Sequence, residues 1–306
     1  MILNEYPQAL VLTGPTGSGK SRLALDLAER LDAEIVSMDS MALYRHMDIG
    51  TAKPTAEDRR RVPHHLIDVL EPWESASVAW WLERAAECCC DITRRGRRPL
   101  FVGGTPLYLK ALLHGLFEGP PADETIRRRL TDEAAASGPS ALHARLAAVD
   151  LVSAARLHPN DLRRVVRALE IWELTGRPIS DWQRQWNDET NKPNEDRCLY
   201  LDLPRRELYA RIDARVEQMI AAGFVEEVQA LRRLERPLSR EAAQALGYKE
   251  MFAFLDGQAD LAETIHQIQM RSRNFAKRQM TWFRHLAPCR PIRPELTFAV
   301  WGLTML

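Results

Sequence analysis

Residues 11–21 read VLTGPTGSGKS, with glycines at 14, 17 and 19, a lysine at 20 and a hydroxyl at 21. These are the residue types that a phosphate group needs gathered at one place. Backbone N–H groups around Gly17, Ser18, Gly19 and Ser21 point inward where a helix begins, and the helix dipole favours an anion there. Lys20 offers a point charge to phosphate oxygens. The Ser21 hydroxyl is the expected ligand of a Mg²⁺ ion that bridges phosphates. Gly14, Thr16, Gly17, Ser18, Gly19, Lys20 and Ser21 thus form the expected phosphate-binding set. The loop alone does not say whose phosphate it holds.

What the loop lacks narrows the question. A P-loop hydrolase carries an Asp at the end of a later apolar strand, where it holds Mg²⁺ through water. Here that strand ends Phe101-Val-Gly-Gly104, with no carboxylate. The nearest strand-terminal acid is Asp39, after Ile35-Val-Ser-Met38. A carboxylate at the carboxyl end of a strand beside the loop sits in the cleft where open α/β sheets bind ligands. Asp39 there can hold Mg²⁺ through water or act as a general base, whereas as an N-cap it would do neither.

The elements that must position these residues are readable from periodicity. Residues 9–13 are an apolar run entering the loop. The segment after it places Leu23, Leu27 and Leu31 on one helical face. A short strand is expected at Ala33–Ser37, an amphipathic helix at 77–94, a buried strand at 99–104 and a helix after it. Strands alternating with helices imply a parallel sheet flanked by helices, here a P-loop NTPase-like α/β core. After Gly119-Pro-Pro121 only helical periodicity remains, at 124–136, 140–148 and 161–175. Residues 187–196 are polar and read as a linker, and Cys198–Leu203 reads as a further strand. The expected organisation is a core in residues 1–118, an all-helical insertion in 119–196, and a return to the core with C-terminal helices in 197–306. Thr297–Trp301 reads as a final strand.

Bulk composition excludes little but excludes it clearly. Lys+Arg and Asp+Glu both number 42, so overall charge points to neither nucleic acid nor membrane, and any basic patch must be local. No segment reaches the roughly 20 apolar residues of a membrane span. Asn4, Glu5 and Pro7 follow Ile2 and Leu3 without a secretory pattern, so the expectation is a cytoplasmic chain. The five cysteines, at 88, 89, 90, 198 and 289, have no paired spacing and are expected to be small unpaired hydrophobes. His64 and His65 lack metal spacing. The tryptophans at 80, 81, 172, 182, 186 and 282 read as core more than as base-stacking surfaces.

Several further blocks carry a resemblance. Asp39-Ser-Met41, Tyr44-Arg-His-Met-Asp-Ile-Gly-Thr-Ala-Lys-Pro54 and His64-His-Leu-Ile-Asp68 come first. Gly103-Gly-Thr-Pro-Leu-Tyr108, His158-Pro-Asn-Asp161, Arg167-Ala-Leu-Glu170, Gly247-Tyr-Lys-Glu250 and Ala276-Lys-Arg-Gln-Met-Thr-Trp-Phe-Arg284 follow. From Thr13 to Arg284 this series resembles the tRNA dimethylallyltransferase (tRNA isopentenyltransferase) family, in family order. With no Cys/His cluster after Arg293, the likeness is to its bacterial members. The resemblance implies transfer of a dimethylallyl group from dimethylallyl diphosphate to N6 of an adenine beside the anticodon of tRNA. Diphosphate is released, with Mg²⁺ as cofactor.

On that resemblance Asp39 is the general base, Lys20 and Ser21 hold the diphosphate and Mg²⁺, and Thr16 and Thr105 orient donor or amine. Arg211 and Arg215, at helical spacing, are alternative completions of the diphosphate clamp. Asp39, Ser40, Met41, Ala42, Thr105, Arg127, Arg163, Arg164 and Arg167 are the implied tRNA contacts. Two positions depart from the family: Ala42 and Arg163 stand where glutamine is usual. A monomer suffices for this chemistry. The alternatives are a P-loop kinase of small molecules or nucleotides, a prenyltransferase of free adenine nucleotides, and a nucleotide-gated RNA-binding switch.

Overall fold

The first strand, β1 (Leu10–Thr13), is buried at every position, as a strand covered on both faces must be. Its side chains alternate between two cores. Val11 packs with Val36, Met38, Phe101 and Trp81 on one face. Leu10 and Leu12 pack with Ala24, Leu27, Ile35 and Leu100 on the other. Period-two alternation therefore sends one short apolar run into two separate cores.

The computed structural model describes residues 2–116, 119–183, 195–286 and 289–303. Further strands are β2 (Ala33–Ser37), β3 (His64–His65), β4 (Arg98–Gly103), β5 (Cys198–Leu201) and β6 (Arg290–Ile292). They form one six-stranded sheet in the order β3-β2-β4-β1-β5-β6, and every pairing is parallel. The helix Lys20–Leu31 covers one face. The helices Val78–Arg94 and Pro106–His114 cover the other. The expected parallel α/β architecture is thus present. Among the described residues no helix is long and apolar enough to cross a membrane.

Trp81 anchors the second face. It is fully buried, stacks on Tyr108 with ring centroids 4.3 Å apart, and donates its indole N–H to Ser37 O at 3.1 Å. Glu34 on β2 is buried, and burial pushes its carboxyl up. Arg95 and His65 more than offset this, holding the carboxyl below its usual value. Both bond its Oε2 at 2.6 Å.

Chain contacts divide the molecule into Met1–Leu113 with Lys192–Leu306, and His114–Asn191. The second unit is helical. Glu124–Ser137, Pro139–Val149 and Leu162–Thr175 enclose their own core of Leu130, Leu142, Leu146, Val165 and Leu169. Its polar centre is Glu170, which is 0% exposed. Glu170 accepts from Asp123 N at 2.6 Å, Arg127 Nε at 3.0 Å and Arg167 Nη1 at 2.9 Å. Arg127 and Arg167 therefore brace a buried carboxylate. Arg163 and Arg164 are exposed on the same helix, and Arg164 pairs with Asp161 at 3.1 Å.

Two expectations about the fold are not met. Thr297–Trp301 is not a strand: a 3-10 turn at Pro294–Leu296 leads into a helical turn at Thr297–Val300. The sheet edge beside β5 is taken by β6, whose Pro291 suits an edge position. The tail instead packs Phe298, Val300 and Trp301 against the core around Leu27. The cysteines are not all unpaired, because Cys198 and Cys289 form a disulfide with Cα atoms 4.9 Å apart. The cause is register: β5 pairs Leu199 with Arg290, so the preceding residues meet although 91 positions separate them. The expected linker 187–196 and Trp186 lie largely outside the described residues, which resume with a 3-10 turn at Glu195–Arg197.

Replacing Trp81 with Ala is expected to destabilise the chain by about 3–5 kcal/mol, through lost contacts and a cavity. Trp81→Phe should cost less, since it forfeits mainly the bond to Ser37 O. Urea unfolding of both variants measures the difference, and equal losses would contradict the packing argument.

Candidate active site

The loop after β1 keeps the conformation its glycines permit. Gly17 has φ +80°, and a Cβ there would lie 2.8 Å from Ile212 Cγ1. Ile212 belongs to the helix Arg205–Ala221, which presses on the loop and carries Arg211 and Arg215 one turn apart. Arg215 Nη1 donates to Thr16 Oγ1 at 3.3 Å. Arg211 pairs with Glu207 at 2.5 Å. The two arginines left open by the sequence thus differ: Arg215 touches the loop's hydroxyl, while Arg211 has a carboxylate of its own.

These groups open on a cleft of about 1310 Å³ at the carboxyl ends of the central strands. Thr16, Gly17, Gly19, Lys20 and Ser21 line one wall, and Asp39, Ser40, Met41, Ala42 and Thr105 line another. Asp39 Oδ1 accepts from Met41 N at 2.9 Å, which holds the carboxylate at the turn after β2. Thr105 Oγ1 accepts from Ser40 N at 3.1 Å, tying the β4 turn to the β2 turn. Ala42 is buried, and its carbonyl accepts from Asp68 N at 3.2 Å.

Two members of the expected phosphate set do not line the cleft. Gly14 sits behind the loop, where a Cβ would meet Ser18 Oγ at 3.1 Å. Ser18 is 1% exposed, and its N–H donates to Pro15 O at 3.2 Å. Gly103 and Gly104, at the end of β4, also line the cleft. A Cβ on Gly103 would lie 2.4 Å from the Met38 carbonyl, so that glycine admits the neighbouring strand's backbone. Arg127, Arg163, Arg164 and Arg167 belong to the helical unit described above.

Charge in the cleft is arranged without collapse. Crowding by protein atoms lowers the Lys20 ammonium to about 8, with Arg215 adding to the effect and Asp39 opposing it. By surface area Lys20 is half-buried, so its ammonium still faces the cleft. Burial also lowers the Arg215 guanidinium, again against the pull of Asp39. Among the described residues no ion pair within 4.0 Å joins Asp39 to either cation. Lys20 Nζ instead donates to Pro15 O at 3.3 Å.

One residue of the site was not expected. Gln279 is 3% exposed on the long helix Leu261–Arg284. Its Oε1 accepts from Thr16 N at 2.9 Å, and its Nε2 donates to Gly104 O at 2.6 Å. It joins the phosphate loop to the β4 turn across 263 and 175 residues. The available signal was a polar side chain sharing a helical face with Ala276, Met280 and Phe283, all buried. The segment 44–54 is clamped in the same way. Lys53 Nζ bonds Asp48 at 2.7 Å and Asp68 at 2.6 Å. Glu227 accepts from the N–H groups of Asp48, Ile49 and Gly50 and from the Tyr248 hydroxyl.

This geometry has counterparts among known proteins. A family model described as IPP transferase matches residues 42–286. A tRNA dimethylallyltransferase of Geobacter metallireducens is 50% identical over 284 residues, 92% of this chain and 90% of the relative. Another from Stenotrophomonas maltophilia is 45% identical over 305 residues, 97% of this chain and 95% of the relative. The crystal structure of a tRNA isopentenylpyrophosphate transferase from Bacillus halodurans superposes with a TM-score of 0.66 at 42% identity, covering 94% of this chain and 90% of that one. A eukaryotic dimethylallyltransferase captured acting on tRNA gives a TM-score of 0.75 at 28% identity, covering 94% and 73%. The family suggested by the sequence blocks is the family found: this chain belongs to the IPP transferases.

Proposed function

We propose that the chain transfers the dimethylallyl group of dimethylallyl diphosphate to N6 of an adenine beside the anticodon of tRNA, releasing diphosphate in the cytoplasm. The carrying observation is one cleft that holds a carboxylate, Asp39, opposite a phosphate loop with two cations, Lys20 and Arg215. Prenyl transfer needs both. Cleavage of the allylic carbon–oxygen bond puts negative charge on the leaving diphosphate, and cations aimed there favour the transition state over the substrate. The attacking amine is weakly nucleophilic because its lone pair is delocalised into the ring. A carboxylate that takes the N6 proton during attack contributes roughly 10²–10⁴-fold.

Each side chain has a distinct task in this reading. Lys20 and the N–H groups of the loop hold the diphosphate. Arg215 serves as the clamp in preference to Arg211, whose guanidinium is paired with Glu207. Thr16 and Thr105 orient donor and amine, with their hydroxyls fixed by Arg215 and by the Ser40 N–H. Gln279 keeps the two turns in register. In the helical unit the exposed Arg163 and Arg164 are the freer contacts for tRNA phosphates, Arg127 and Arg167 being engaged by Glu170.

Mg²⁺ fits the donor set. The exposed Ser21 and the Asp39 carboxylate share the cleft, and no cluster of three His, Cys, Asp or Glu occurs among the described residues. One hydroxyl and one carboxylate suit an ion that keeps water and phosphate oxygens as its remaining ligands. Bound there, it would supply further positive charge at the diphosphate.

Asp39→Ala is expected to lower the single-turnover prenylation rate by about 10²–10⁴-fold with tRNA binding retained; a rate within a few-fold of the parent would remove Asp39 as base. Lys20 is protonated below about 8 and loses its charge as pH rises through that value. The kcat/KM for dimethylallyl diphosphate should therefore fall above that pH, and Lys20→Arg should flatten the fall. Gln279→Leu strands the Thr16 N–H and the Gly104 carbonyl, each costing about 1–3 kcal/mol if unsatisfied. Its kcat should drop at least about tenfold, as measured with saturating donor and tRNA.

A further inference from the structure

Cys198 and Cys289 are cross-linked, with Cα atoms 4.9 Å apart and 91 positions between them. Cys198 is 0% exposed, whereas Cys289 is half-buried beside the edge of the sheet. Without the link that edge is weakly held. β6 has three residues, two of them exposed, and its Pro291 has no N–H to give to the ladder. A small molecule therefore reaches the cross-link from the side of Cys289. The other three cysteines are free. They follow one another on the helix Val78–Arg94, where successive side chains face different ways, so they do not pair among themselves.

The segment closed by the link carries Arg215 on the helix Arg205–Ala221 and Gln279 on the helix Leu261–Arg284. One end of it is β5, which pairs with β1, the strand that enters the phosphate loop. The other end follows the long helix, whose Gln279 binds Thr16 N and Gly104 O. Where the two ends meet, Tyr200 of β5 stacks on Phe283 of the helix with ring centroids 6.0 Å apart. Cys198 lies two residues before Tyr200, on the same face of β5 and in the same core. With the link closed, the helix end and the strand beside β1 are joined covalently. With it open, packing alone holds them. In a reducing cytoplasm a cysteine pair close enough to bond is more often a transient, redox-sensing one than a permanent staple.

We propose that Cys198 and Cys289 are a reversible dithiol–disulfide switch, closed through Cys289 by a low-molecular-weight disulfide, and that closure tightens the seat of Gln279 on the phosphate loop. The Cys289 thiolate attacks one sulfur of the small disulfide, forming a mixed disulfide and releasing one small thiol. The Cys198 thiolate then attacks the Cys289 sulfur and releases the second. Two protein thiols are oxidised to one S–S bond, one small disulfide is reduced to two thiols, and the two protons pass to those thiols. The cytoplasmic setting comes from the functional reading above; the link and its reach to the phosphate loop do not.

The test holds the protein in buffers of varied reduced-to-oxidised glutathione ratio and follows the bond between Cys198 and Cys289 by peptide mass mapping. The bond should form and open reversibly within that series. Closure should raise Tm by about 3–6 °C and slow amide hydrogen exchange at Thr16 about tenfold. Cys289→Ser should show neither change. Cys198→Ala should behave in the same way, and either variant serves if the other folds poorly. A bond that stays absent, or stays closed, across the whole series would overturn the switch. So would closure that raises Tm and leaves exchange at Thr16 unmoved, since that would mark a purely structural bond. None of these readouts uses substrate, so failure of the parent protein to prenylate tRNA would sink the functional reading and leave the switch standing.

Discussion

The site depends on keeping opposite charges close without letting them pair. In the proposed reaction Asp39 reaches a proton on an incoming amine, while Lys20 and Arg215 face a diphosphate. Had the carboxylate closed onto either cation, both would be spent on each other. The backbone prevents this. Asp39 is held by the Met41 N–H, Arg215 by the Thr16 hydroxyl and Lys20 by the Pro15 carbonyl. Each charge is fixed by a neutral partner that costs little to give up or keep when ligand arrives.

That arrangement has to be held across turns that follow three different strands, and the rest of the core serves it. Gln279 links the β1 loop to the β4 turn, and Thr105 links the β4 turn to the β2 turn. Trp81, stacked on Tyr108 and bonded to Ser37 O, fixes the end of β2 from the opposite face. Lys53 and Glu227 clamp the segment that follows Asp39. The buried charges outside the cleft, by contrast, are fully answered: Glu34 by Arg95 and His65, and Glu170 by Arg127 and Arg167. Charge that is neutralised in this way reads as scaffold.

Much of the reacting cleft was legible in the chain because its parts are local. The phosphate loop is contiguous and Asp39 directly follows the second strand. The sheet follows from alternating periodicities, which depend only on neighbours a few residues apart. Ser18 lies behind the loop and not on the cleft wall, because a motif specifies spacing and not the direction of each side chain. The tail from Thr297 to Trp301 has strand-like composition, but the sheet edge was already occupied and packing decided its form.

The sequence by itself determined which chemical groups exist, their order, and the strands and helices that carry them. Tertiary structure decided which of those groups are spoken for. It joined Cys198 to Cys289 through the register of two parallel strands, set Gln279 between two turns, and gave Arg127 and Arg167 to Glu170. The reason is the range of the forces. Propensity and periodicity act along a few residues of chain, whereas hydrogen bonds and ion pairs are made through space over a few ångströms, between positions whose separation in sequence carries no information about their distance.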